Sequence, residues 1–295
     1  LRVVIATLHH AAERLSGLDA EDALAALDGE TVPEVRWALE TALRDAMARA
    51  IDIPLAKYLE SGARSTVAVN AALGPLDERC IDRAHRALAD GYAVAKIKVG
   101  VGSIDREIAA LGEIAAATGD RLRLRLDANR AWDVGEAERL LGAISGLPID
   151  GVEEPLKAPT PDSLALLQAA VPFALAVDES LPAIGLEALL EKRAVRRLVV
   201  KPARLGGMKR VLGLAGTCAA ADVELVLTSV VDTAIGVIAT ASLAAALPRQ
   251  AVHGLATSAW LDADVALAPE IVAGELRLPS GPGLGREPGR EYAQS

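Results

Sequence analysis

The chain has 295 residues and is 52% hydrophobic, enough to bury a large core and too apolar for a disordered polymer. With 2% aromatic residues and a net charge of −9, it offers neither stacking platforms nor a basic surface, so nucleic acid is not an expected partner. Its two cysteines, Cys80 and Cys218, form no disulfide framework or metal-ligand spacing, which fits a reducing, cytoplasmic setting.

Residues 1–64 read as helices. The opening "LRVVIATLHH" is too short to span a membrane and lacks a small-residue cleavage site. Residues 31–59 carry apolar side chains at helical spacing, and Thr31-Val32-Pro33 suits a helix start. From residue 65 the pattern changes to short β-rich runs, at 66–73, 94–100, 121–127, 151–155, 173–180, 197–202, 223–229 and 250–257. Helix-like stretches lie between them, at 76–91, 105–119, 134–146 and 206–221. The apolar run 234–248 is shorter than a membrane span and contains Thr240 and Ser242, so it reads as a buried helix and no membrane partner is expected. Strand–helix alternation implies parallel strands with crossover helices. Eight such strands, with no dinucleotide glycine fingerprint after the first, point to an α/β fold of the (β/α)8 type, a modified TIM barrel.

Strand parity and charge then locate a site. In "LRLRLDANRAW" (122–132), Leu122, Leu124 and Leu126 share one face, while Arg123, Arg125 and Asp127 share the other and are expected to line the barrel. The strand runs end in charge: Lys96 and Lys98, then Asp127, Glu153 with Glu154, Asp178 with Glu179, Lys201, and finally the polar Thr228 and Ser229. Taken singly, each has an ordinary explanation, such as a turn, a helix cap or an exposed edge. His253 reads as a structural histidine. Together, three acids converging from adjacent strands would repel one another unless a cation lay among them. Carboxylate oxygens suit a hard ion such as Mg²⁺, and Mn²⁺ suits the same ligands. A lysine beside such an ion is a candidate general base.

As a set, Lys96-Ile97-Lys98, Asp127-Ala128-Asn129-Arg130-Ala131-Trp132, Glu153-Glu154-Pro155, Asp178-Glu179-Ser180 and Lys201-Pro202 resemble the enolase superfamily in its muconate-lactonising branch, and within it the o-succinylbenzoate synthases. The resemblance implies that Asp127, Glu153 and Asp178 hold Mg²⁺. It makes Lys98 the base that removes a proton α to a carboxylate, and Lys201 the cation on the opposite face. Lys96, Asn129 and Glu179 would support them, and Arg125, Thr228 and Ser229 would contact the carboxylate of a small-molecule substrate. The implied activity is a carbon–oxygen lyase of menaquinone biosynthesis, dehydrating 2-succinyl-6-hydroxy-2,4-cyclohexadiene-1-carboxylate. An N-acylamino acid racemase or dipeptide epimerase would share the same metal and lysine positions, and a non-catalytic barrel scaffold is the alternative of another class. The expected organisation is a helical remnant of an α+β capping domain at 1–64, without its N-terminal sheet, a barrel at 65–270, and a segment at 271–295 returning toward the cap. Oligomeric state is left open by these features.

Overall fold

In the computed structural model, which describes residues 2–289, four helices precede the first strand: α1 (Arg2–Leu15), α2 (Ala20–Ala26), α3 (Pro33–Ala50) and α4 (Leu55–Leu59). The proline at the first position of α3 has a φ already suited to a helix and removes an amide that would otherwise lack a partner. The helix buries Val35, Trp37 and Ala48.

The described strands are β1 (Thr66–Ala68), β2 (Ala71–Pro75), β3 (Val94–Lys98), β4 (Arg123–Asp127), β5 (Ile149–Glu153), β6 (Ala174–Val177), β7 (Arg197–Val200), β8 (Glu224–Leu227), β9 (Ile271–Val272) and β10 (Glu275–Arg277). Strands β2 to β8 form one curled parallel sheet in sequence order. Crossover helices cover its outside: α5 (Cys80–Ala89), α6 (Ile104–Thr118), α7 (Val134–Ala143), α8 (Pro161–Ala170), the short α9 (Leu181–Ile184) and α10 (Leu186–Glu191), then α11 (Pro202–Leu205), α12 (Met208–Ala220) and α13 (Ala234–Ala245). Their starts are written in local chemistry: α7 opens on a capping box between Asp133 and Glu136, and α8 on one between Thr160 and Ser163. All but two residues of α13 are buried, Thr240 and Ser242 among them, and among the described residues no helix is long and apolar enough to cross a membrane.

The two faces of the strands bury different things. Leu122, Leu124 and Leu126 are fully buried in the main apolar cluster between sheet and helices. A separate small cluster of Ala176, Val199 and Val226 sits inside the barrel. Beside it lies a charged layer: Asp150 accepts from Arg125 Nε at 2.8 Å and from Arg197 Nη1 at 2.7 Å, and Arg197 also pairs with Glu224. The two guanidinium groups outweigh the cost of burial and hold the Asp150 carboxyl below the usual aspartate range. Arg123, by contrast, is exposed at the start of β4, its side chain donating to the Ile149 carbonyl.

Two sequence expectations need correction. The run at 66–73 is two strands, because β1 leaves the barrel to pair antiparallel with β10, which pairs with β9. The run at 250–257 forms no regular strand. It closes the barrel through isolated bridges, Val69 to His253 and Thr228 to Gly254. Side chains take the groups that a continuous ladder would use: the Val252 carbonyl accepts from Arg125 Nη1 at 2.7 Å, and the Leu227 amide donates to His253 Nδ1 at 3.0 Å. Backbone bonds on both sides complete the seal, from His253 N to the Ala68 carbonyl and from Gly254 N to the Leu227 carbonyl. Beyond β10 the chain reaches the helices: Gly283 exchanges bonds with Ile53 and Leu55, and Leu284 N donates to Asp45. A side chain at Gly283 would collide with Asp45, and its φ of +63° suits glycine.

His253 is fully buried, and burial next to Arg125 and Arg64 lowers its pKa from 6.5 to about 3. The unfolded chain binds this proton near pH 6.5 and the folded chain only near pH 3, so stability complete above 6.5 is lost as the pH falls. The expected slope from this group between pH 6 and 5 approaches about 1.4 kcal/mol per unit. Urea unfolding of the native chain and of His253→Asn at pH 7, 6 and 5 checks this. The variant starts less stable and loses less on acidification, and equal losses would contradict the assignment.

Candidate active site at the strand ends

A parallel barrel delivers the C-terminal ends of its strands to one mouth, and the charged residues of this chain gather there. Lys98 is paired in register with Asp127, and Asp127 with Glu153, so the last residues of β3, β4 and β5 form one row. Asp178 and Lys201 each lie one residue past their strands, and Lys201 is also the residue before α11. They open on a cleft of about 360 Å³. Lys96, Lys98, Asp127, Asn129, Asp178, Glu179, Lys201, Thr228 and Ser229 line it, together with Asn70, Val230, Val231, Ala256, Thr257 and Trp260.

The electrostatics are those of acids gathered on ammonium groups. Lys96 Nζ lies 2.9 Å from Asp127 Oδ2 and 2.5 Å from Glu153 Oε2, bridging the two carboxylates. Burial disfavours this ammonium, but Glu153 and Asp127 outweigh it and hold its pKa above that of an ordinary lysine. Lys201 pairs in the same way with Asp178. Asn129, with φ +44°, turns the chain out of β4 and donates from backbone and side chain to Asp127. Glu179 is exposed at the cleft; partial burial, reinforced by the nearby acids, raises its pKa. Lys98 projects into the cleft and is exposed. Thr228 Oγ1 donates to the Gly254 carbonyl at 3.0 Å, and Ser229 shares a 2.7 Å hydrogen bond with Thr257.

The structure therefore brings together at one mouth ten of the eleven residues expected at the site: Lys96, Lys98, Asp127, Asn129, Glu153, Asp178, Glu179, Lys201, Thr228 and Ser229. Glu153 is 2% exposed, behind Lys96. Arg125 does not belong with them. It is 1% exposed and does not line the cleft; it bonds to Asp150 and the Val252 carbonyl, and to Asn70 on the cleft wall. It lines the barrel, as parity implies, but does not reach the cleft wall. Among the described residues no three acid, histidine or cysteine side chains converge as a metal-binding group, and the acids pair with Lys96 and Lys201. Sequence reading missed Asn70, Val230, Val231, Thr257 and Trp260 on the cleft wall. Val230 and Val231 sit in the loop after β8, Thr257 in a turn and Trp260 in a one-turn 3-10 helix, where periodicity carries no signal.

Residues 79–292 match the family described as enolase C-terminal domain-like. The chain is similar to an o-succinylbenzoate synthase of Thermobifida fusca, 36% identical over 68% of this chain and 63% of that protein. It is also similar to a chloromuconate cycloisomerase of Pseudomonas putida, 28% identical over 84% of this chain and 68% of that protein. Among solved structures it is similar to a dipeptide epimerase from Enterococcus faecalis V583, with a TM-score of 0.87 and 27% identity, covering 97% of this chain and 86% of that one.

Removing Lys96 leaves Glu153 buried and facing Asp127 without a counter-charge. Lys96→Met is expected to cost about 3–5 kcal/mol in urea unfolding at pH 7 without added divalent ions. A loss below about 1 kcal/mol would show that this bridge is not what compensates the two acids.

Proposed function

The chain belongs to the enolase C-terminal domain-like family, and from that premise we propose that it is a divalent-metal-dependent o-succinylbenzoate synthase. The observation that carries the reading is the meeting of Lys98 and Lys201 in the cleft that Asp127 and Asp178 line. The apolar surfaces of Val230, Val231, Ala256 and Trp260 in the same cleft suit the carbon ring of such a substrate.

The donor set fits the metal. Asp127, Glu153 and Asp178 offer only carboxylate oxygens, the ligands preferred by Mg²⁺ or Mn²⁺, and Asp127 and Glu153 already converge on one positive charge at Lys96 Nζ. These three residues would hold the ion, which when bound supplies a Lewis acid for the substrate carboxylate. The rest falls to the chain's own residues. Lys98, entering the step neutral, takes the proton from the carbon bearing the carboxylate. The electron pair of that C–H bond moves into the ring, and the neighbouring C–O bond breaks. Lys98 returns its proton to the departing hydroxyl, so water leaves and the ring becomes aromatic. Lys201 contributes positive charge from the other side as negative charge builds on the carboxylate. Asn129 orients Asp127, and Glu179 and Lys96 adjust the charge around Lys98.

A second reading, epimerisation of an N-acylamino acid or a dipeptide, is favoured by the backbone likeness to the dipeptide epimerase. In that case Lys201 would deliver a proton to the face opposite Lys98.

Turnover and proton exchange separate these readings. The native chain with Mg²⁺ is expected to form o-succinylbenzoate and not to racemise N-acylamino acids or dipeptides. Lys98→Ala should lower turnover by at least about 10³-fold and abolish α-proton exchange in D₂O. Racemisation without dehydration would replace the first reading by the second. Unchanged turnover in Lys98→Ala would remove the role given to that lysine.

A further inference from the structure

Glu154 follows a proposed metal ligand but takes no part in the cleft wall. Its backbone has φ +46°, a conformation that costs energy in a non-glycine residue and persists where the surroundings enforce it. Its side chain is buried, with the whole residue 1% exposed. Instead of a cation, the carboxylate faces three neutral donors on the next turn. Oε1 accepts from Asp178 N at 2.7 Å and from Ser180 N at 2.8 Å, and Oε2 accepts from Ser180 Oγ at 2.5 Å. The backbone of the same residue ties in both neighbours: its carbonyl accepts from Arg130 N at 2.7 Å, and its amide donates to the Ala176 carbonyl at 2.9 Å. One residue thus joins the turn after Asp127, the turn after Glu153 and the turn carrying Asp178 and Glu179.

We propose that Glu154 is a positioning residue that fixes Asp178 at the distance from Asp127 and Glu153 at which the three acids share one divalent cation. This rests on the metal reading above. Its effect runs through reach, since a carboxylate spent on backbone amides places a turn, whereas a carboxylate acting through charge alone would do so from any nearby position.

Two substitutions separate reach from charge. Glu154→Gln keeps the length: its oxygen can accept both amides and its NH₂ can donate to Ser180 Oγ. Glu154→Asp keeps the charge and loses one methylene of reach. In titrations of the full chain with Mn²⁺, followed by the EPR signal of the free ion, E154Q should bind within about threefold of the native chain and E154D about tenfold or more weakly. Amide exchange at Asp178 and Ser180, read without metal, should quicken in E154D and stay near native in E154Q. If E154D binds as the native chain does, or if E154Q weakens as much as E154D, the proposal is overturned. Should E154D not fold, Ser180→Ala removes only the bond to Oε2 and is expected to weaken Mn²⁺ about two- to fivefold, an unchanged affinity overturning the proposal. A native chain that binds no Mn²⁺ would sink the metal reading and this proposal with it, whereas native binding with an unaffected E154D sinks the positioning role alone.

Discussion

Like charges delivered to one end of a parallel barrel must be compensated within a few ångströms, and this chain does so at two levels. In the lower level Asp150 lies between Arg125 and Arg197, and Arg197 also meets Glu224. In the upper level Lys96 bridges Asp127 and Glu153, and Lys201 holds Asp178. The residue types match the levels. Arginine is always charged and presents a rigid fork, which suits a permanent interior brace. Lysine carries a point charge on a flexible stem and can change both position and protonation state, which suits a site where charge must be rearranged during a reaction. The deep layer ties β4, β5, β7 and β8 together through buried pairs, and the shallow one lies at the cleft.

The same economy of polar groups closes the barrel. Arg125 is at once an ion-pair partner of Asp150 and a donor to the Val252 carbonyl, and His253 replaces a ladder acceptor with its ring nitrogen. The seam between β8 and the segment before β2 therefore depends on side chains that the interior itself supplies. On the outside, β9 and β10 pair with β1, while residues 283–284 bond to α3 and to the chain just before α4. The helix α11, which begins directly after Lys201, packs against α3 through the Arg204–Glu34 pair, and the start of α12 follows suit, Lys209 N donating to Glu40. The N-terminal helix α3 thus braces the segment that follows Lys201, far away in sequence.

Much of the barrel and most of its mouth were legible in the chain because two simple periodicities carry them. Alternation separated Leu122, Leu124 and Leu126 from Arg123, Arg125 and Asp127, and parallel connectivity put strand-end charges together. Parity fixes a face, though, and not a height. Arg125 and Asp127 point the same way, yet one residue pair of rise separates a buried brace from a cleft residue. Arg123, a further pair down, reaches solvent at the opposite mouth. The irregular eighth position was illegible for a different reason, since "QAVHGLAT" reads as a strand until Arg125 and His253 are seen to consume its hydrogen bonds. Glu154 was hidden by its neighbour: in a doublet of acids, alternation alone does not tell which carboxylate meets Lys96 and which braces the next turn.

On the proposed reading, the charge now shared among Lys96, Lys201 and the three acids marks the seat of a divalent cation. The most direct measurement is anomalous scattering from crystals of the chain soaked with Mn²⁺. A single strong peak is expected within coordination distance of one oxygen each from Asp127, Glu153 and Asp178, with the Lys201 ammonium withdrawn from Asp178. A peak elsewhere, or no peak at millimolar Mn²⁺ with both lysines still paired to the acids, would contradict it.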